Sequence, residues 1–537
     1  MITNAVEYMM SAVARNPGRL ALYVPVMDGE QCLAEETVTF QELERLVVGY
    51  QLGWKRWGLS RGDRVVLLFR PSVELYAMVI SLLASGLVPV FIDTGMSRKK
   101  IVMAIEDSKA KMIVSMNRFL RFFWFMPALW RLRRFAVDGI GFGVHPSSRL
   151  FQKPSKTETL KIETISPEDH GLISFTTGST GRPKGADRTH DSLIAQHLIV
   201  RKHLPDVDGD IDMTCFPVWV IHNLFCGMTT IMPKVDLSTP ASFNANAVIE
   251  QIVRYNVTRV SGAPAFIRCL ARGVLKKKQP LDRVKRVFTG GATVPNSVLK
   301  KLVDVFPNAA VDVLYGSTES EPISGVSARE LLEDTSENEG YLVGYPAEGV
   351  EVAIALLAAG PQSEADVQEN LRPAFQVGEI LVSGSHVLKG YVDNVIATKE
   401  TKVSRADGLV WHRTGDTGYL DDKGRIWLTG RVKDAISKAN HWIQPFPLEK
   451  KIDELGGVIR SALVQVGDNV ILFMQINKSW DEISVQVEHL FSEFPIAPIQ
   501  YAILDALPVD GRHNSKIDRP LLREQMLNGE IEISGQF

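Results

Sequence analysis

The sequence predicts an α/β protein: a large N-terminal part of doubly wound α/β subdomains plus a β subdomain, then a small α+β C-terminal domain. Three observations predict it. Apolar runs without alternation, V-V-L-L-F from Val65 and V-P-V-F-I from Val88, have the composition of strands buried on both faces. Segments of helical period separate them, the pattern of parallel strands joined by crossovers. From Tyr341 to Tyr391 glycines and short apolar runs read instead as antiparallel hairpins, and beyond Arg431 enough chain remains for one more small domain.

Each element has its own signal. Thr39 to Trp57 reads as a helix, with Thr39 as cap, Glu42 three residues on, and Leu43, Leu46 and Val47 along one face. Gly62-Asp63-Arg64 turns the chain into the first apolar run; a helical segment, Glu74 to Ser85, leads through Gly86 to the second, ending at Asp93. A helix near Arg98–Ser108 and the strand K-M-I-V-S complete a third unit. Pro146 to Ser166 is polar and turn-rich, a surface connection. Phe216-Pro217 is expected to start a turn, and Ala247–Tyr255 to be helical. Strands are expected at Thr258–Ser261, Val284–Thr289 and Val311–Leu314, the last ending in Y-G-S-T-E.

Composition narrows the function. A formal net charge of −2 over 537 residues gives no electrostatic reason to expect nucleic acid as a partner. Cys32, Cys215, Cys226 and Cys269 form no C-x-x-C pair, which argues against a zinc site or a disulfide framework and fits a reducing cytoplasm. No secretory signal is evident in M-I-T-N-A-V-E-Y-M-M, and no apolar run approaches the roughly 20 residues needed to cross a bilayer. Asn117–Phe135 stands out by packing seven aromatic residues among five arginines. Phe119–Phe135 reads as a peripheral membrane contact, a docking surface for a partner enzyme, or a buried helix with arginines at its ends.

The chemistry concentrates in a few stretches. I-S-F-T-T-G-S-T-G-R-P-K-G-A-D-R, from Ile173 to Arg188, is a strand opening into a turn rich in backbone N–H groups and hydroxyls, with Lys184 beyond it. Such a turn suits a polyphosphate. Its spacing is not that of a Walker loop, and Pro183 argues against a helix opening at once. Y-G-S-T-E, Tyr315 to Glu319, offers an aromatic face for a base and a carboxylate for a hard cation such as Mg2+. R-T-G-D, Arg413 to Asp416, places a carboxylate after a tight turn, where it can accept from vicinal hydroxyls. Each stretch alone has an ordinary reading as a turn, a hairpin or an exposed lysine.

T-T-G-S-T-G-R-P-K-G, Y-G-S-T-E, V-G-E-I…G-Y, R-T-G-D, G-R-V-K-D and S-K-I-D-R follow one another over almost the whole chain. In that order the chain resembles the adenylate-forming superfamily of acyl-CoA synthetases, peptide-synthetase adenylation domains and luciferases. The resemblance implies ATP as substrate, Mg2+ as cofactor, an adenylation domain over residues 1–431 and a mobile C-terminal domain over 432–537. It also implies roles by position. Thr176, Thr177, Gly178, Ser179, Thr180, Gly181 and Lys184 would surround the β- and γ-phosphates, and Gly290, Gly291 and Ala292 would line the adenine and acyl pocket. Tyr315 and Gly316 would flank adenine, Thr318 would touch the α-phosphate, and Glu319 would bind the metal. Asp416 and Arg431 would hold the ribose, and Lys516 would bridge the carboxylate and α-phosphate.

Within the superfamily, R-P-S-V-E-L, V-P-V-F-I-D-T-G-M, G-A-P-A and P-V-D-G-R-H-N-S-K-I resemble the bacterial β-lactone synthetases of long-chain olefin biosynthesis. That likeness implies a long-chain, β-hydroxy fatty acid activated as acyl-AMP and closed to a β-lactone; acyl transfer to CoA or a carrier protein is the alternative. Thioester-forming relatives usually carry G-R-x-D-D-x-I-K-x-x-G after the hinge. Here G-R-V-K-D-A-I-S-K-A-N-H-W-I puts Ser437 at the lysine position, Asn440 at the glycine and Trp442 at the usual basic residue. Gly262 and Ala263 of G-A-P-A, with His222, are candidate pocket residues; His222 also reads as a packed core histidine or as a base for the hydroxyl.

Overall fold

The computed structural model describes residues 2–176, 182–237, 239, 242–438, 441–492, 499–509 and 516–537. One sheet has seven strands, ordered His145–Pro146, Arg133–Ala136, Met112–Ser115, Arg64–Leu68, Val88–Ile92, His170–Thr176 and Lys184–Thr189. All neighbours pair in parallel except the last two, which form an antiparallel hairpin. The carboxyl ends of the parallel strands therefore share one edge, where α/β sheets present ligands. The phosphate-loop candidate falls between those two strands in sequence, and its residues Thr177–Gly181 lie outside the described residues.

Several helices form where the sequence marks them. Phe40–Arg56 opens with the Thr39–Glu42 capping box, and Arg98–Ser108 keeps its expected bounds. Phe216-Pro217 differs from expectation: Pro217 is the first residue of helix Pro217–Cys226, a position where a missing N–H costs nothing. Asn117–Phe135 is not one buried helix either. It breaks into Asn117–Leu120, single turns at Phe123–Phe125 and Pro127–Leu129, and strand Arg133–Ala136.

Among the described residues, the second α/β unit and the β subdomain are hydrogen-bonded into one sheet of 14 strands. Their seam is narrow: Ser320–Ser327 meets Tyr341–Pro346 through Ser324↔Pro346 and Gly325↔Tyr345. Gly344 has φ +91°, and a Cβ there would lie 1.9 Å from the Gly325 carbonyl oxygen, so the approach admits only glycine. A four-stranded sheet, Val458–Val466, Asn469–Ile476, Gln500–Ile503 and Gly535–Gln536, builds the C-terminal part. It has its own apolar core, including Ile436, Leu448, Leu463, Leu472 and Ile483. Helix Pro445–Asp453 joins it to the body: Lys450 donates to the Gly340 carbonyl at 3.0 Å, and Thr417 to Gln444 at 2.7 Å.

Candidate active site

Asp416 is placed by backbone constraints before any ligand is considered. Strand Val410–Leu420 kinks at Gly415, φ +70°. Thr414 Oγ1 donates to the Ile380 carbonyl at 2.8 Å and accepts from the Asp416 N–H at 3.0 Å. Arg413 is fixed beneath by Glu379, through Nε at 2.8 Å and Nη2 at 2.7 Å. Two donors from other strands then meet the Asp416 carboxylate. Tyr315 donates its hydroxyl to Oδ2 at 2.8 Å, and Arg431 Nε lies 3.1 Å from Oδ1 as the cross-strand partner. Burial, with Asp416 adding to it, pushes the Tyr315 phenol well above its ordinary range, so it remains a donor.

A second cluster forms around Tyr391. Its hydroxyl donates to Glu319 Oε1 at 2.8 Å, while Lys184 Nζ lies 5.3 Å and Lys402 Nζ 6.0 Å from its ring centre. Lys184 and Lys402 are both only 7% exposed. Burial opposes ionisation of Glu319, but His412, Lys402 and the Tyr391 hydrogen bond overcome it and bring the carboxyl down to about 2. Burial drives Lys402 down to about 7 against the pull of Glu319, and His412, its cross-strand partner, down to about 3. The imidazole is thus uncharged near neutrality, where Lys402 is itself about half protonated. Arg188 ties this cluster to the hairpin of strands His170–Thr176 and Lys184–Thr189, donating to Thr318 O at 2.8 Å and Ser174 Oγ at 3.1 Å.

Other candidates fall at element ends. Thr176 closes its strand, while Thr177, Gly178, Ser179, Thr180 and Gly181 are outside the described residues. Tyr315 and Gly316 lie within strand Ala310–Ser317, which runs on past the end expected at Leu314 and returns as Ser320–Ser327, with Thr318 and Glu319 at the turn. Gly290 ends a strand, and a Cβ there would meet the Leu314 carbonyl oxygen at 2.4 Å; Gly291 and Ala292 follow it. Gly262 ends strand Arg259–Gly262, and buried Ala263 precedes helix Pro264–Lys277. Lys516 is exposed on the approach to helix Arg519–Leu527, which Arg519 anchors to Glu449 at 2.6 Å.

His222 is half-buried, with Nδ1 3.1 Å from His197 Nδ1 and Nε2 3.5 Å from Cys226 Sγ. Burial holds its pKa well below the ordinary value, so it is a weak base. His197, His222 and Cys226 bring three ligand-type atoms within 4.8 Å of one another. Cysteine spacing gave no hint of this, because His197 comes from a different helix. Sequence reasoning also missed Tyr391 as the hub, Lys402 and His412 as buried neighbours of Glu319, and Arg188 as a tie. Only the G-Y of the V-G-E-I…G-Y pattern signalled Tyr391.

The AMP-binding enzyme family matches residues 10–392, and the chain belongs to it. It is an AMP-forming, adenylate-forming ligase. It is similar to the olefin β-lactone synthetase of Stenotrophomonas maltophilia strain K279a, 29% identical over 532 residues, covering 94% of this chain and 95% of the relative. It also resembles the olefin β-lactone synthetase of Xanthomonas campestris pv. campestris, 27% identical and covering 94% of each. The fold matches an amide bond synthetase from Marinactinospora thermotolerans, with a TM-score of 0.78 at 20% identity, covering 97% of this chain and 99% of that one. O-succinylbenzoate coenzyme A synthetase from Bacillus subtilis, in complex with AMP, gives 0.74 at 20% identity, covering 96% and 98%.

Proposed function

We propose that this ligase activates a long-chain β-hydroxy fatty acid as acyl-AMP and then closes it to a β-lactone. Residues 1–431 act as the adenylation domain, and 432–537 as the mobile domain that carries Lys516. Asp416 accepts from the ribose hydroxyls beside Arg431, and Tyr315 lines the adenine side. Lys184, Thr176 and the loop through Gly181 take the β- and γ-phosphates, with Thr318 at the α-phosphate. Glu319 fits Mg2+, because its carboxyl, at about 2, stays ionised in the cluster around Tyr391. When bound, that ion neutralises phosphate charge. Lys516 offsets the charge that builds between carboxylate and α-phosphate during adenylation.

In the second half-reaction the substrate's own hydroxyl oxygen attacks the acyl carbon. A carbon–oxygen bond forms, the bond from that carbon to the AMP phosphate oxygen breaks, and AMP leaves. The hydroxyl proton passes to solvent or phosphate. An intramolecular nucleophile needs no carrier tunnel. The observation that carries this choice is the hairpin after the hinge. Its strands Ile436–Lys438 and His441–Ile443 pair Ser437 with Trp442, and the Trp442 side chain is 64% exposed. The indole stands where thioester-forming relatives usually carry a basic residue, a departure that supports an acyl acceptor already on the substrate over a pantetheine arm. The relatives named for β-lactone formation support the same reading. The test is product analysis with a long-chain 3-hydroxy acid and ATP, with and without CoA. Lactone without CoA is expected; a thioester formed only when CoA is present would replace this reading with acyl-CoA ligation.

A further inference from the structure

The segment between strands Met112–Ser115 and Arg133–Ala136, with the loop after the latter, forms an apolar surface that the enzyme's chemistry does not use. Its inward residues Leu120, Phe123, Met126 and Leu129 already fill the core beneath. The outward ones are Phe122, Trp124, Phe125, Trp130, Ile140 and Phe142, with Phe125 and Phe142 each 82% exposed. They form one patch: Trp124 stacks on Phe142 with ring centres 5.8 Å apart, and the Trp130 indole N–H is satisfied internally by the Phe123 carbonyl at 2.9 Å. An exposed aromatic cluster of this kind marks an interaction surface.

Charge identifies the occupant. From Lys109 to Val137 the chain carries seven basic residues and no acidic one. Arg118, Arg121 and Arg131 are exposed among the aromatics, as are Arg98 and Lys99 at the start of helix Arg98–Ser108, where Arg98 lies 5.0 Å from the Phe122 ring centre. Asp138, which accepts from the Asn117 N–H, and exposed Glu106 near the far end of helix Arg98–Ser108 are acids outside the aromatic cluster. We propose that this surface docks the enzyme on an anionic lipid bilayer, the aromatic rings entering the headgroup boundary while the cations meet lipid phosphates. The same helix reaches the approach to strand Lys184–Thr189 at its other end, where Asp107 pairs with Arg182 at 2.7 Å. Docking would therefore set the adenylation site close to the membrane face.

The test is co-sedimentation of the full chain with vesicles of phosphatidylglycerol and phosphatidylcholine, against phosphatidylcholine alone, at low and high salt. Binding to the anionic vesicles that weakens with salt is expected. The double variant Trp124→Ser/Phe125→Ser should lower the bound fraction at least tenfold while ATP–pyrophosphate exchange stays unchanged. Arg118→Glu/Arg121→Glu, which spares the aromatics, should do the same. Failure of the unaltered chain to bind anionic vesicles, or equal binding by the variants, overturns the proposal. So does a dimer in analytical ultracentrifugation that the aromatic variant dissolves without any vesicle binding, since the patch would then serve a second copy of this chain.

Discussion

Replacing Asp416 by Asn keeps the shape of the side chain and removes its charge. Both native partners of this carboxylate are donors, the Tyr315 hydroxyl at 2.8 Å and Arg431 Nε at 3.1 Å. An amide must turn its NH2 toward one of them, converting a hydrogen bond into a donor–donor contact. It also leaves one neutral oxygen for ribose hydroxyls that a carboxylate would bind through charge-assisted bonds, each contributing about 1.5–3 kcal/mol. A loss of about 3 kcal/mol corresponds to roughly 150-fold in kcat/KM for ATP. Pyrophosphate release at varied ATP measures it, with circular dichroism confirming that the variant folds. A folded variant within threefold of the parent would refute Asp416 as the ribose acceptor.

Lys516→Ala should cut pyrophosphate release by on the order of 10²–10³ while ATP binding by calorimetry persists; unchanged release would remove Lys516 from the first half-reaction. Lys402 has a folded pKa of about 7 against an ordinary 10.5, so between those values the unfolded chain holds more protons and stability rises with pH. Its burial cost is fully present below about pH 7, so Lys402→Met should raise Tm more at pH 6 than at pH 9. An equal rise at both would show that Lys402 is not held near neutrality. Gly344→Ala should destabilise by at least about 2 kcal/mol, because a Cβ would meet Gly325 O at 1.9 Å in a backbone with φ +91°. Denaturant midpoints check it, and a change under 0.5 kcal/mol would mean the seam opens freely.

Much of the first sheet was legible because its signals are local. The strand Val88–Ile92, helix Arg98–Ser108 and the capping box at Thr39–Glu42 each rest on a few neighbouring residues. Illegible features depend on pairing across long separations. The join of the β subdomain to the second α/β sheet rests on two residue pairs, and nothing near Ser324 or Tyr345 announces it. Pro217 read as a turn because proline ends helices as well as opening them; the apolar V-W-V-I that follows was the discriminating signal. In the site, Tyr315, Asp416 and Arg431 were readable as separate motifs, and their convergence on one carboxylate is a fact of strand register. Lys402 looked like any other lysine. Its meaning comes from burial beside Glu319, which no single-sequence pattern encodes.

The central claim is that adenylation and ring closure share one active site and that the substrate supplies its own nucleophile. It is tested most directly with two long-chain acids of equal length, one bearing the β-hydroxyl and one lacking it. Both should support ATP–pyrophosphate exchange, but only the hydroxy acid should give net AMP, matched one to one by β-lactone, with no CoA present. Net AMP and a thioester from the acid without the hydroxyl, on adding CoA, would contradict the account.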